Sequence, residues 1–280
     1  MMGRRRSNVA RLRLGFTERY GTWALIAGAS EGLGAAYAKA LAERGMNLFL
    51  VARRRVLLDQ LAERLRGSFN VEVRCCEGDL ADPAFLETLR ATCFGLEIGF
   101  IVCNAAQAPI GDFASRDVDE LMRVVDVNVR APVALLRAFL PDMTARGRGA
   151  VVIMTSLTGN QGTPRIAAYA ASKAFARVLA ESLWFELKDH GIDVVACCAG
   201  AVRTPGYAMA AGKDAPGTLD AEKVVERALR ALGHGPVVIP GFVNRVATVF
   251  MTRLLPRRTA IAIMGTSTDG LAQLRETKGC

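Results

Sequence analysis

Short apolar runs alternate with longer segments of helical periodicity between residues 20 and 240. The runs predict strands at residues 23–27, 47–52, 71–76, 100–103, 150–155, 193–198 and 236–239. They are apolar at consecutive positions, the pattern of strands that are buried on both faces of a sheet. Helical patterns between them, at residues 33–44 and up to residue 65, indicate right-handed crossovers. We therefore predict an α/β fold with one doubly wound parallel sheet and helices on both faces.

The last forty residues follow another pattern. Apolar side chains recur there at helical spacing, at Phe242, Val246, Val249, Phe250 and Leu254. Pro256 ends this segment, and a second apolar patch at residues 261–264 and a polar tail follow it. Such a helix packs on the domain or a partner subunit, or lies on a membrane surface with its arginines near headgroup phosphates. We divide the chain into a basic extension at 1–19, a catalytic domain at 20–240 and a basic amphipathic extension at 241–280.

The net positive charge of the chain comes entirely from its two ends. The formal net charge is +9, of which residues 1–19 contribute +5 and residues 241–280 contribute +4, so the 221 residues between them are neutral. No recognition motif or interleaved aromatic residue accompanies the basic ends, which argues against a nucleic-acid partner. The basic N-terminus has no apolar run behind it, and no stretch approaches the roughly 18 apolar residues of a spanning helix.

Cysteine and histidine usage excludes a metal site. The seven cysteines include two adjacent pairs and no C-x-x-C pair, and the chain has only two histidines. Adjacent cysteines suit neither ordinary disulfides nor zinc, so we expect reduced, mostly buried thiols in a cytoplasmic protein.

A glycine-rich turn connects the first predicted strand to the first predicted helix. Its spacing is G-x-x-x-G-x-G, and the candidate binding residues are Gly28, Ser30, Glu31, Gly32, Leu33 and Gly34. Glycines permit a tight turn and a close backbone approach, while a helix N-terminus offers unpaired N–H groups to a phosphate. The alternative is a glycine-rich turn without a ligand.

Three arginines follow the second predicted strand, where an acid would accept hydrogen bonds from a free ribose 2′-hydroxyl. Positive charge there suits a 2′-phosphate, so Arg53, with Arg54 beside it, predicts NADP(H) as the preferred cofactor and NAD(H) as the alternative. The arginines could instead form a solvated helix start, and Glu31 weakens the preference. Asp79, next to Leu80, could accept a hydrogen bond from adenine or act as a helix N-cap.

The strongest catalytic signal is Tyr169 followed four residues later by Lys173. Residues at this spacing share one helix face, so the ammonium would lie near the phenol and lower its pKa. Ser156, at the end of a predicted strand, could hydrogen-bond a substrate oxygen. Asn128 could anchor a water and extend a proton relay to the lysine. Each residue alone has a structural alternative, and their combination indicates catalysis.

Together these segments resemble the short-chain dehydrogenase/reductase family, and the resemblance runs from residue 22 to residue 204. Residues 27–34 resemble its cofactor loop, and Asn128, Ser156, Tyr169 and Lys173 match its catalytic tetrad. The resemblance implies a single-domain Rossmann fold, hydride transfer, a homodimer or homotetramer, and cofactor contacts from Tyr169 and Lys173 themselves. It adds cofactor contacts at two further segments, which contain Asn104, Ala105, Gly200, Val202 and Thr204. Residues 50–61 are similar to those of NADPH-dependent acyl and steroid reductases.

We therefore expect an NADP(H)-dependent oxidoreductase that interconverts a ketone and a secondary alcohol. Residues 205–219 have the composition of a mobile lid with apolar side chains, which suggests a hydrophobic acyl or steroid-like substrate. Four motif positions depart from the family pattern and motivate an alternative, a catalytically silent NADP(H)-binding protein: Ala27, Cys103, Ala106 and Ala199.

Overall fold

A parallel sheet forms the centre of the chain. The computed structural model describes residues 15–210 and 214–278. In that part, seven strands join one sheet: β1 (Trp23–Ala27), β2 (Asn47–Ala52), β3 (Val73–Glu77), β4 (Ile98–Cys103), β5 (Gly149–Ser156), β6 (Ile192–Ala199) and β9 (Val237–Val238). β7 (Val202–Arg203) and β8 (Leu219–Asp220) pair separately.

The strand order is β3-β2-β1-β4-β5-β6-β9, and every neighbouring pair is parallel. The direction of winding reverses between β1 and β4, which opens a crevice outside the carboxyl ends of these two strands. The doubly wound sheet is therefore confirmed. The third strand starts two residues later than predicted because the Val71 amide donates to the Phe69 carbonyl in a turn.

Helices cover both faces of the sheet. In chain order they are α1 (15–20), α2 (Gly32–Glu43), α3 (Arg55–Ser68), α4 (Pro83–Thr92), α5 (Val118–Val125), α6 (Ala131–Arg146), α7 (Ala167–Leu187), α8 (Pro205–Ala210), α9 (Ala221–Ala231), α10 (Phe242–Val249) and α11 (Arg257–Lys278). One core packs α2, α3 and α9 on the sheet, and the other packs α4, α6 and α7. Strands buried on both sides explain the continuous apolar runs.

A π-helical turn, Phe250–Leu254, follows α10 directly, and α11 begins after Pro256. The polar segment expected beyond residue 264 is helical as far as Lys278, because α11 continues through it. The apolar stripe does not pack on the domain in the described chain, because its side chains face outward, so packing on a partner subunit or on a membrane surface stays a prediction. Phe242 is 72% exposed, whereas Asn244 faces inward and is 4% exposed.

Candidate active site

A cavity of about 450 Å³ lies at the carboxyl ends of the central strands. Most of the predicted cofactor residues line it: Gly28, Ser30, Glu31, Gly32, Leu33, Arg53, Arg54, Asp79, Leu80, Asn104, Ala105 and Thr204. Further lining residues were missed by the sequence reasoning: Ala52, Gly78, Ala106, Gln107, Val127 and Gly206. Several of these are sequence neighbours of predicted residues. Including every residue of the turns that follow the strands would have identified them.

The glycine turn forms one wall of this cavity as bare backbone. Gly28 has a φ of +87°, and a Cβ there would lie 2.7 Å from Ala105 Cα. A Cβ on Gly34 would lie only 1.9 Å from the Gly28 carbonyl oxygen. Asn104 Nδ2 donates to that same oxygen at 2.7 Å. The turn and the end of β4 are therefore in close backbone contact, and only glycine fits at both positions.

The N-terminus of α2 opens onto the cavity without a side-chain cap. Glu31 occupies the N-cap position but makes no capping hydrogen bond, and the first turn contains no acidic residue. Its free N–H groups and the positive end of the helix dipole therefore remain for an anion. The uncapped helix and the glycine cradle together fit the pyrophosphate of a dinucleotide.

The three arginines after β2 differ in their partners. Arg54 Nη2 lies 2.7 Å from Glu31 Oε1 and 3.1 Å from Ser30 Oγ, and Arg55 pairs with Asp59. Arg53 lines the cavity and forms no ion pair with any residue in the described ranges. Arg53 is thus the arginine without an ion pair, although its charge contributes to the lowered pKa of Asp79, and it is the one that fits a 2′-phosphate best.

Asp79 lines the cavity with both carboxylate oxygens in hydrogen bonds. Oδ1 accepts from the Ala81 amide at 3.0 Å, and Oδ2 accepts from Arg123. Burial opposes ionisation of this carboxyl, but these bonds outweigh it and lower the pKa of Asp79. The alternative role as helix cap belongs instead to Asp82, which accepts from the Ala84 amide at the start of α4.

Tyr169 and Lys173 lie together on α7, as their spacing requires. Lys173 is 5% exposed, its Nζ donates to the Met154 carbonyl at 2.9 Å, and it lies 5.5 Å from the centre of the Tyr169 ring. Burial lowers the pKa of Lys173 to about 8, a shift that the nearby Cys103 partly opposes. Burial also raises the pKa of Tyr169. The expected lowering of this phenol pKa by Lys173 is wrong in the free chain, because desolvation dominates and Ser156 is the group that opposes it.

Ser156 ends β5 with its hydroxyl beside Tyr169. Its Oγ accepts hydrogen bonds from the amide and the hydroxyl of Thr158, at 3.3 Å and 3.0 Å. The single Ser156 hydrogen therefore remains to be donated, and a hydrogen bond from Ser156 favours the ionised form of the Tyr169 phenol. The hydroxyl can in the same way stabilise negative charge on a bound oxygen.

Asn128 is buried in a π-helical segment, Asp126–Arg130, behind the cavity. Its Nδ2 donates to the Gln107 carbonyl and to Ser172 Oγ, each at 2.9 Å, and its Oδ1 accepts from the Gln107 amide at 2.7 Å. Both amide hydrogens are therefore committed. The side chain joins the cavity wall at Gln107 to the helix that carries Tyr169 and Lys173.

The remaining predicted residues lie behind the cavity or beside it. Val202 is buried in β7, and Gly200 packs against the side chain of Asn244, a C-terminal residue that the sequence reasoning missed. Ser156 and Lys173 are absent from the cavity lining, while Tyr169 lines a separate hollow of about 20 Å³ with Phe113 and Leu121. No sequence signal identified Asn244, because its burial depends on contacts with Gly200 and Gly217, which lie in other segments of the chain.

Three further observations concern the described residues alone. They contain no cluster of three or more metal-ligating side chains. None of their helices has the length and apolar character needed to cross a bilayer. All six of their cysteines are free thiols.

The family model described as short chain dehydrogenase matches residues 22–214. Among curated proteins, a 7beta-hydroxysteroid dehydrogenase from Clostridium sardiniense is 30% identical over 262 residues, which cover 92% of this chain and all of the relative. A very-long-chain 3-oxoacyl-CoA reductase from Neurospora crassa is 36% identical over 180 residues, which cover 62% of this chain and 54% of that protein.

Solved structures extend this similarity to the fold. A structure of 7beta-hydroxysteroid dehydrogenase superposes with a TM-score of 0.84 at 29% identity and covers 89% of this chain and 98% of its own. A short-chain dehydrogenase from Sphingobium yanoikuyae in complex with NADPH superposes with a TM-score of 0.74 at 33% identity, covering 83% and 94%. The relatives with an assigned activity are oxidoreductases, which gives no support to the catalytically silent alternative.

Proposed function

The chain belongs to the short-chain dehydrogenase family and is an oxidoreductase acting on CH–OH groups, and we propose that it reduces a hydrophobic ketone with NADPH and catalyses the reverse oxidation. One observation carries the proposal: a glycine-walled cavity adjoins the cluster of Ser156, Tyr169 and Lys173, and Asn128 links the two. This combination joins a dinucleotide site to a proton donor.

The proposed assignment of the cofactor residues follows the charge of the cavity. The uncapped N-terminus of α2 would receive the pyrophosphate, and Arg53 would pair with the 2′-phosphate. The Glu31 carboxylate can accept a hydrogen bond from a free 2′-hydroxyl, so NAD(H) remains a weaker alternative. NADPH, when bound, supplies the hydride.

Tyr169 is the proposed proton donor. Its raised pKa keeps the phenol protonated at neutral pH, so it can transfer a proton to the carbonyl oxygen while the carbonyl carbon accepts hydride. The carbonyl π bond breaks, and one C–H and one O–H bond form. The Ser156 hydrogen would hold the substrate oxygen during this transfer.

Lys173 and Asn128 have supporting roles in the proposal. The Lys173 ammonium has three hydrogens, of which the Met154 carbonyl accepts one, and the other two can bind the nicotinamide ribose. Asn128 keeps Gln107 and Ser172 in register, so it supports the proton relay by holding its components in place.

The substrate class and the partners complete the proposal. The names of the curated relatives point to hydroxysteroid or 3-oxoacyl-CoA substrates, which supports a hydrophobic ketone, and Phe113 and Leu121 place apolar groups beside Tyr169. A homodimer or homotetramer is supported by apolar side chains exposed on the adjacent helices α5 and α7: Val118, Met122, Phe175, Val178 and Phe185. Burying such a face against a second copy would remove it from water.

Peripheral membrane contact is proposed for the outer face of α10 and the π-helical turn. Phe242, Phe250 and Leu254 are exposed there, and residues 241–258 contain four arginines and no acid. Apolar side chains flanked by arginine suit an anionic lipid surface. The free thiols agree with a cytoplasmic location for the enzyme.

A substrate panel tests the proposed reaction. Steroid ketones, 3-oxoacyl thioesters and simple aryl ketones are each incubated with NADPH and, in parallel, with NADH. We expect turnover of at least one hydrophobic class, with NADPH preferred, and loss of that turnover in Tyr169→Phe. Tight NADPH binding without turnover on any class would instead support the catalytically silent alternative.

Co-flotation with vesicles tests the membrane contact. The full chain is mixed with vesicles of neutral lipid and, separately, with vesicles that contain anionic lipid. The double variant Phe250→Ser/Leu254→Ser is tested in parallel under the same conditions. Binding to anionic vesicles alone, lost in the variant, is the expected result. Equal partition of the two proteins would end this part of the proposal.

A further inference from the structure

The C-terminal helices reach both loops that border the candidate site. Arg257 of α11 donates to the Asn160 carbonyl at 2.9 Å, and Thr268 donates to the Pro164 carbonyl at 2.9 Å. Those carbonyls lie in the segment between Ser156 and Tyr169. α10 contacts the other border, the segment between β6 and α9. Both contacts come from residues beyond 214, where the match to the family ends.

Asn244 is the inward-facing residue of α10. It is the buried residue of a helix whose other side carries exposed apolar side chains, the reverse of an ordinary amphipathic helix. A buried amide is costly unless its groups are hydrogen-bonded. Here Nδ2 donates to the Pro240 carbonyl at 2.9 Å and to the Gly217 carbonyl at 3.1 Å, so both amide hydrogens have acceptors.

Glycines from three segments make room for this side chain. A Cβ would come within 2.9 Å of Asn244 atoms at Gly200, within 2.4 Å at Gly217 and within 3.2 Å at Gly241. Gly217 and Gly241 also have positive φ values, +82° and +89°. The three backbone segments therefore converge on one side chain, and no larger residue fits at the contact points.

The segment held by Asn244 leads directly into the cavity. The Leu219 amide donates to the Ala201 carbonyl at 3.1 Å, and β8 pairs with β7. Arg203 of β7 pairs with Asp214 and Asp220, so both ends of residues 214–220 are tied to the strand that precedes Thr204. Thr204 and Gly206 line the cavity. A shift at Gly217 would thus be passed to the cavity wall.

We propose that Asn244 is a positioning residue for the reaction. Asn244 donates to the Pro240 carbonyl just before its own helix and to the Gly217 carbonyl, and the second bond fixes residues 214–220 against β7, the strand that leads into the cavity wall. Asn244 acts through Thr204 and Gly206 and contacts no reacting atom. The catalytic meaning of this loop rests on the proposed function, whereas the mechanical role of Asn244 does not.

Hydrogen exchange followed by mass spectrometry tests that role without any turnover. The full chain is compared with Asn244→Ala and with Thr252→Ala, whose exposed hydroxyl bonds only to the Thr248 carbonyl of its own helical segment. We expect exchange in residues 214–220 to rise at least tenfold in Asn244→Ala and to stay unchanged in the control and in β1 and α2. Wild-type exchange at 214–220, or an equal rise throughout the chain, would overturn the proposal.

Asn244→Asp is the second variant, since it keeps the shape but replaces the amide donors by a carboxylate facing two carbonyl oxygens. A protonated carboxyl restores one donor, so the ratio of the exchange rate at 214–220 in this variant to that in the wild type at the same pH should decrease as the pH falls. The same variants are assayed for NADPH affinity and for the KM and kcat of any ketone reduced. We expect KM to rise several-fold more than kcat falls. A variant-to-wild-type exchange ratio that does not change with pH, or a fall confined to kcat, would contradict a positioning role. Absence of turnover would count against the proposed function and leave the exchange result valid.

Discussion

The cofactor end and the substrate end of the candidate site are built on different principles. At the cofactor end, Gly28, Gly34 and Asn104 bring short turns together through backbone contacts directly after strands. At the substrate end, Tyr169 and Lys173 depend on side-chain contacts across the fold, and the flanking loop is held by α11 from 104 residues away at Thr268. The first end therefore tolerates almost no added atom, whereas the second depends on charge, burial and distant support.

The largest effect is expected where the backbone cradle is closed. In Gly34→Ala the new Cβ would meet the Gly28 carbonyl oxygen, so α2 must move away from β1 and the pyrophosphate site is lost. We expect NADPH to bind at least 100-fold more weakly, as measured by calorimetric titration of protein whose circular dichroism shows it folded. Gly67→Ala on α3 is the control, since nothing lies within 4 Å of its Cβ position. Equal affinity in the two variants would show that the cradle is not the cofactor site.

Lys173→Met should separate activity from stability at the substrate end. Burial lowers the pKa of Lys173 from 10.5 to about 8, so the folded state disfavours the charged lysine. This penalty is fully present below pH 8 and disappears as the pH rises through 10.5. Replacing the lysine removes this penalty and should raise the free energy of unfolding at pH 7 by about 1–3 kcal/mol, once the loss of the hydrogen bond to the Met154 carbonyl is subtracted.

The same variant should lose about 100-fold or more in kcat. Chemical denaturation and initial rates provide the two measurements, with Lys39→Met as the control for an exposed lysine on α2. A Lys173→Met protein that is less stable than the control would contradict the burial penalty.

Cofactor selection gives an effect of intermediate size at the cofactor end. Arg53 lines the cavity without an ion pair in the described ranges, whereas Arg54 is held by Glu31. Arg53→Gln should therefore raise the Kd of NADPH about 10- to 100-fold, the worth of one charge-assisted bond, and leave the Kd of NADH unchanged. Arg54→Gln should change the NADPH Kd by less than about fivefold. The reverse ranking of the two variants would transfer the phosphate contact to Arg54.

The smallest expected effect is a pH dependence of ketone reduction. The pKa of Tyr169 is raised, so the phenol stays protonated through neutral pH, and the group that titrates is Lys173 at about pH 8. With NADPH saturating, kcat/KM should be level from pH 6 to about 7.5 and should fall above pH 8 as the ammonium loses its proton. A kcat/KM that stays level to pH 10 would show that ketone reduction does not depend on the charge of Lys173.

The difference between the two ends also explains what the sequence could predict. The glycine turn, Arg53 and the Tyr169–Lys173 spacing are local patterns, and each lies where its pattern indicates, on a turn after a strand or on one helix face. The parallel sheet followed from apolar runs, with strand ends within two residues at β3. These features depend on neighbouring residues, so a single sequence contains them.

What the sequence missed depends on distant contacts. Asn244 is one polar residue inside an apolar stripe, and its burial is decided by Gly200 and Gly217. The outward turn of Phe242 follows from the same contact, because a helix that buries Asn244 must expose its opposite face. The sequence also did not indicate the direction of the Tyr169 pKa shift. Desolvation of the phenol depends on the whole fold, and it outweighs the lowering of the pKa that the i, i+4 spacing to Lys173 suggests.

Transfer of deuterium from NADPH that carries deuterium at both nicotinamide C4 positions tests the central claim most directly. The wild type and Tyr169→Phe, each saturated with the labelled cofactor, are mixed with a hydrophobic ketone, and the product is examined by mass spectrometry. The account predicts one deuterium on the carbinol carbon with the wild type, at a rate at least about 100-fold above that of Tyr169→Phe, at equal NADPH affinity. Equal rates of deuterium transfer in the two proteins would contradict the assignment of Tyr169 as the proton donor.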